Sequence, residues 1–414
     1  MGKNVNRVKT TALVKDMVTS YYDDLRKARP AGRKIAWACG VVPFELLRVM
    51  DIAFEHGESY GAYSAARNGN IELKQAAEAE GYSTDACSYW RTLNGLAILA
   101  QKGVKIREDM ALPLPDFVVG ANHCQTVGLW ADSLGRLLKV PSFVIDVPMT
   151  YNLSEYERNI QHVEGQLKGF ISFLEGVTGK KFDYDKLKEI MKLVKQAAGL
   201  RRQCLDLCKA VPTPMSYFDC LIGLRPMHSM RGTPVSVDYY EKLKVEIEDR
   251  VANKIGAIVN EQYRLYWDNL PIWFKLGAIS DKLAALNAVP IVSTYTHGAF
   301  YYEADKVDPD RPLHSIAEEL VYICKDMNSR FKVERISQMV EEYSLNGMIM
   351  HSARTCRPID IGQYDLIDEI RKRFGIPGIV IEADPTDPLY YSDNDIDRAL
   401  ESFVEVMAAQ KRGA

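Results

Sequence analysis

Phe117-Val-Val-Gly-Ala-Asn-His-Cys124 is apolar without interruption for five residues and then turns polar. It shows no alternation of polar and apolar side chains, so a strand built from it is covered on both faces, as strands of a parallel sheet are. Two neighbouring runs read the same way. Lys34-Ile-Ala-Trp-Ala-Cys-Gly40 is closed by Val-Val-Pro43 and followed by a helix-like FELLRVMDIAF, and Ser142-Phe-Val-Ile-Asp-Val-Pro148 comes after a further helical pattern. Run, turn and helix in succession open an α/β unit. A second set lies towards the C-terminus, in Val289–Tyr295, Gly347–Ser352 and Gly378–Ala383. Helical patterns at 313–327, 333–343, 361–374 and 396–407 surround these runs, so right-handed βαβ units are expected.

Outward from these runs the organisation is simple. Val8, Leu13, Val14, Met17, Val18 and Tyr21 repeat at helical spacing, which makes 1–30 an N-terminal helical segment. A first α/β lobe is expected over 31–152, a helical arm or linker over 153–256, and a second α/β lobe over 257–414. The predicted fold class is therefore α/β, with two Rossmann- or flavodoxin-like parallel-sheet lobes. A chain of 414 residues is long enough for two such cores.

Composition excludes several functions. Hydrophobic content of 47% and charged content of 26% are globular values, and a formal net charge of -3 argues against nucleic acid as a main partner. No run approaches the ~18 apolar residues of a membrane span. MGKNVNRVKTTALVKDMV lacks the apolar core of a signal peptide, and Asn6 stands where a myristoylation signal wants Ser or Thr. A cytoplasmic protein is expected, whose eight cysteines are core thiols, metal ligands or reactive groups rather than disulfides. There is no G-x-G-x-x-G, and VTGKK at 177–181 lacks the first glycine of a phosphate-binding loop. H-E-x-x-H and G-x-S-x-G are also missing, so no nucleotide cofactor is expected on this chain.

The cysteines sort by position. Cys39, Cys204, Cys208, Cys220 and Cys324 lie in apolar patterns and read as small core hydrophobes. Cys124 and Cys356 fall just past the ends of expected strands, where ligands of open parallel sheets collect. Cys87, in GYSTDACSYWRT, sits in a turn-rich context. His123, His297 and His351 also fall at strand ends, and together they mark a polar cleft or, singly, satisfied structural histidines. Without a C-x-x-C, spacing alone leaves both a metal site and three unrelated thiols open.

Three segments together go further. ELKQAAEAEGYSTDACSYWRTLNG, PDFVVGANHCQTVGLW and GMIMHSARTCRPIDIGQYDL resemble the D-component subunits of 2-hydroxyacyl-CoA dehydratases and the matching subunits of ATP-dependent benzoyl-CoA reductases. YRLYWDNLPIWFK resembles the segment before that family's C-terminal lobe, and the likeness runs from about residue 30 to about 390. The resemblance implies that Cys87, Cys124 and Cys356 ligate one 4Fe-4S cluster that keeps one iron site open. It implies single-electron chemistry on an acyl-CoA thioester. It also implies a homologous second cluster-bearing subunit and separate ATP-hydrolysing iron–sulfur activator subunits, with neither nucleic acid nor membrane as partner. In the dehydratase branch a serine in the first strand-to-helix turn and a glutamate about eighteen residues later assist the substrate. Aligned through Pro43, the glutamate falls on Glu58 and the serine on Gly40, which has no hydroxyl. This favours a benzoyl-CoA-type reductase, an oxidoreductase of anaerobic aromatic degradation. A 2-hydroxyacyl-CoA dehydratase subunit and a non-catalytic electron relay are the alternatives. Glu58, His123, His297 and His351 are the candidate catalytic residues.

Overall fold

The computed structural model of the chain describes residues 4–268, 270–297, 303–323 and 328–413. Its strands form two four-stranded sheets, all parallel. The first contains β1 (Ile35–Cys39), β2 (Ala53–His56), β3 (Phe117–Ala121) and β4 (Ser142–Ile145), in the order β2-β1-β3-β4. The second contains β5 (Tyr263–Asp268), β6 (Ala288–Val292), β7 (Gly347–Ala353) and β8 (Gly378–Ala383), in the order β6-β5-β7-β8. The two lobes thus share one topology. In each, the strand order reverses beside the first strand, which places a ligand crevice at the carboxyl ends of β1 and β3 in one lobe and of β5 and β7 in the other.

Every residue of β1, β3 and β6 is buried, as their uninterrupted apolar runs require, and so is every residue of β5, which carries Arg264 and Asp268. The helix read through FELLRVMDIAF stops earlier than expected. It spans Phe44–Val49, Asp51 turns the chain through a left-handed conformation (φ 54°), and the remaining residues enter β2. β2 is an edge strand, but the helix Leu13–Ala28 lays Tyr22, Leu25 and Ala28 over it and leaves no bare edge.

Residues 153–256 form helices that pack into the main core. Val163, Leu187, Val194, Leu243 and Ile247 belong to one apolar cluster that also contains Ala36 and Val119 of the first sheet and Val289 and Met348 of the second. Buried charges tie the lobes as well. Asp387, beyond β8, takes Lys74 and Arg91 of the first lobe at 2.9 Å each. Arg231 bridges Glu45 (2.6 Å) and Glu319 (2.9 Å).

The helices Ile71–Ala79 and Ser88–Gln101 meet where Gly95 faces Leu73, and a Cβ on Gly95 would lie 1.6 Å from the Leu73 carbonyl oxygen. Backbone cannot yield like a side chain. Gly95→Ala is therefore expected to lower unfolding stability by about 3 kcal/mol or more, read from the urea midpoint.

Candidate functional site

Cys87 is the N-cap of the helix Ser88–Gln101, Cys124 of Gln125–Leu138, and Cys356 of the short helix Arg357–Asp360. The latter two follow β3 and β7, at the two topological switch points. All three thiols are half-buried, whereas Cys39, Cys204, Cys208 and Cys220 are buried. Cys324 lies outside the described residues.

The three come together across the lobes. Each packs against one apolar cluster that unites Trp37, Leu93 and Trp130 of the first lobe with Leu270, Ala353 and Ile359 of the second. The Ser88 amide, next to Cys87, donates to Thr355 Oγ1, next to Cys356, at 3.2 Å, and Thr355 Oγ1 donates to Asp384. Cys87 and Cys124 are close enough to repel as thiolates.

The electrostatics suit an anionic ligand group. A helix N-terminus carries partial positive charge, which favours a thiolate. Burial, the largest cause, nevertheless pushes the Cys87 thiol up to about 12. A cation would offset that penalty, and a thiolate-ligated iron–sulfur cluster would meet it from one side and the helix ends from the other. Among the described residues no three His, Cys, Asp or Glu side chains are gathered to hold a single ion. A cluster asks for a different arrangement, with each thiolate on its own iron. The donor chemistry of Cys87, Cys124 and Cys356 is compatible with such a group, which these three would hold.

A cavity of about 250 Å³ lies between the lobes and shares Tyr89, Leu270, Trp273 and Tyr295 with the apolar cluster that the thiols border. Tyr89, two residues past Cys87, lines it with Leu270, Trp273 and Tyr295 of the second lobe, and Glu58 forms part of its polar edge. His56 Nδ1 accepts the Ser59 amide at 3.2 Å, so the ring proton sits on Nε2. Nε2 faces the Gly40 carbonyl and Glu58 Oε2, each at 2.7 Å. Ser59 Oγ continues the chain to His228 Nδ1 at 3.4 Å.

His228 is pushed well below the ordinary imidazole value by burial first, then by His56, Arg231 and Arg225. The unfolded chain would take this proton near pH 6.5 and the folded chain would not. Below that pH the unfolded state binds one proton more, so stability falls as pH falls. His228→Gln is expected to make the stability profile between pH 6.5 and 5 shallower by about 1.4 kcal/mol per pH unit.

The three histidines singled out in the sequence lie elsewhere. His123 is buried with Nε2 3.1 Å from the Val41 carbonyl, where it joins the turns after β1 and β3. His351 is buried with Nδ1 2.6 Å from the Leu270 carbonyl, beneath the cysteine site. His297 faces a different pocket with Arg201, Arg335 and Tyr343. Of the four candidates only Glu58 lines the cavity. His56, Arg225 and His228 were missed. His56 lies just past the stretch read as a helix, and the other two reach the cavity from the helical stretch, which carries no local signal of a site.

Gly40 holds φ +73°, and a Cβ there would lie 2.9 Å from both the Ala121 carbonyl oxygen and Val127 Cγ1. The missing side chain therefore does not leave room for a substrate ring. Gly40→Ser is expected to lower stability by about 1–3 kcal/mol through strain and contact, measured by thermal unfolding.

A family model described as the 2-hydroxyglutaryl-CoA dehydratase D-component matches residues 39–407. The chain belongs to this family. Among its relatives in the D-component family, the (R)-2-hydroxyisocaproyl-CoA dehydratase alpha subunit of Clostridioides difficile is 28% identical over 97% of this chain and 96% of its own length. A benzoyl-CoA reductase subunit of Thauera aromatica is 28% identical over 99% and 98%. The lactoyl-CoA dehydratase subunit alpha of Anaerotignum propionicum is 27% identical over 94% of each chain. These D-component relatives are dehydratase or reductase subunits, each named as one of several. Among the described residues no helix is long and apolar enough to cross a membrane.

Proposed function

We propose that the chain is the cluster-bearing catalytic subunit of an ATP-dependent reductase of the benzoyl-CoA type. It would act beside a homologous second subunit and receive electrons from separate ATP-hydrolysing iron–sulfur subunits. The observation that supports this reading is that three half-buried cysteines, each at a helix N-terminus, border one apolar cluster shared by the two lobes. When bound, the cluster supplies low-potential single electrons and a Lewis-acidic iron. The chain's own residues do the rest. Cys87, Cys124 and Cys356 hold the cluster, and the apolar cavity walls keep water from the acyl group. Glu58, oriented by His56, exchanges a proton with the substrate at its carboxylate oxygens.

The near-equal likeness to dehydratase alpha subunits supports a second reading, in which the same site removes water from a 2-hydroxyacyl-CoA. One assay separates the two. The complex, purified without oxygen, is given benzoyl-CoA, ATP and a low-potential reductant. Dearomatised product with net electron consumption supports the reductase. An enoyl-CoA formed from a 2-hydroxyacyl-CoA without net electron use, with benzoyl-CoA untouched, overturns it in favour of the dehydratase.

A further inference from the structure

We propose that the cavity between the lobes admits only acyl groups that carry no charge of their own, and that the Glu55–Arg225 pair sets this rule. The inference rests on the reading of that cavity as the acyl site of an acyl-CoA enzyme.

The argument is one of charge. Among the described residues lining the cavity, Arg225 is the only lysine or arginine. An acyl chain ending in a carboxylate would need that cation. Arg225 is already committed. Its Nη2 lies 3.3 and 3.4 Å from the two oxygens of Glu55, which is buried at the carboxyl end of β2. Its guanidinium also stands 4.8 Å from the ring of Tyr21 and 5.5 Å from that of Tyr22. Burial, the largest single cause, would lower Arg225, but Glu55 together with Tyr22 and Tyr21 outweighs it and holds the guanidinium charged. Both printed bonds to Glu55 use Nη2, and Nε–H is buried without a protein acceptor. The donors outside the Glu55 pair can hydrogen-bond an acyl oxygen, but with Glu55 beside it the guanidinium brings no net charge to a second carboxylate.

The other polar groups add to the exclusion. Glu58 presents negative charge at the same wall, and His228 is held neutral by burial. A charged acyl end would therefore leave water for a site whose described residues offer one carboxylate at the wall and no cation without a counter-charge. The remaining walls favour the opposite ligand. Tyr89, Trp273 and Tyr295 offer ring faces, and Leu221, Leu224 and Leu276 offer aliphatic surface, to an aromatic or branched aliphatic acyl group.

The test is a binding series on the oxygen-free complex with benzoyl-CoA, isocaproyl-CoA and glutaryl-CoA, and with free CoA as the reference. Benzoyl-CoA and isocaproyl-CoA are expected to bind more tightly than CoA, and at least ~10-fold more tightly than glutaryl-CoA. Glutaryl-CoA binding as well as benzoyl-CoA overturns the inference while leaving the acyl site standing. If no acyl-CoA binds better than CoA, the acyl-site reading itself falls and takes the inference with it. Glu55→Gln then probes the pair. With Arg225 uncompensated, the gap between benzoyl-CoA and glutaryl-CoA should narrow at least ~3-fold, and an unchanged gap overturns the role given to Glu55. Should that variant fail to fold, the ranking in the unaltered complex decides alone.

Discussion

Cys87→Ala, Cys124→Ala and Cys356→Ala should each strip the protein of most of its iron, from about four atoms per chain to a small remainder, and turnover should disappear with it. Cys204→Ala should leave iron unchanged, because that thiol lies within the main apolar core. The contrast follows from position. The three candidate ligands cap helices at one inter-lobe apolar cluster, where helix ends favour thiolates and burial penalises an uncompensated one. Removing one thiol leaves two half-buried groups without the charge partner that the arrangement suits. Iron analysis and the visible absorption of anaerobically isolated protein read the result without any activity assay. Full iron in all three variants would sink the assignment of these residues.

The strands that the sequence revealed included those without polar interruption, such as FVVGA and IAWAC, because burial on both faces leaves a continuous apolar run. β2 and β5 escaped for one physical reason. Each buries charge inside a strand and pairs it at long range. In β2, Glu55 meets Arg225. In β5, Arg264 donates to the Tyr343 carbonyl at 2.7 Å, and Asp268 accepts from Gln363 at 2.8 Å. Partners 95 or more residues away are invisible to a window of local pattern, as Asp268 and Gln363 are. The positions of Cys124 and Cys356 after β3 and β7 were legible because a strand end is a local signal. The cavity was not, since its walls come from the N-terminal helix, both lobes and the helical stretch between them. The histidines at strand ends misled in a complementary way. His123 and His351 occupy the right places in the topology but direct their rings at backbone carbonyls.

Glu58→Gln should slow turnover by about 10²-fold or more while leaving iron content intact. The glutamate lines the cavity, and its carboxylate lies 2.7 Å from the Nε2 of a histidine whose tautomer is fixed by the Ser59 amide. That histidine acts through the glutamate, since His56 is buried at the end of β2 and its Nε2–H also faces the Gly40 carbonyl. His56→Leu removes the imidazole that stands 2.7 Å from the carboxylate, so kcat should fall by roughly 10-fold with KM nearly unchanged. His56→Gln keeps an N–H near the same point and should recover part of the loss. The decisive measurement is the double variant. If His56 works only by orienting Glu58, adding His56→Leu to Glu58→Gln costs little further, because the group being oriented is already disabled. Fully multiplicative losses would mean that the two residues act independently, and His56 would then need a role of its own at the cavity edge.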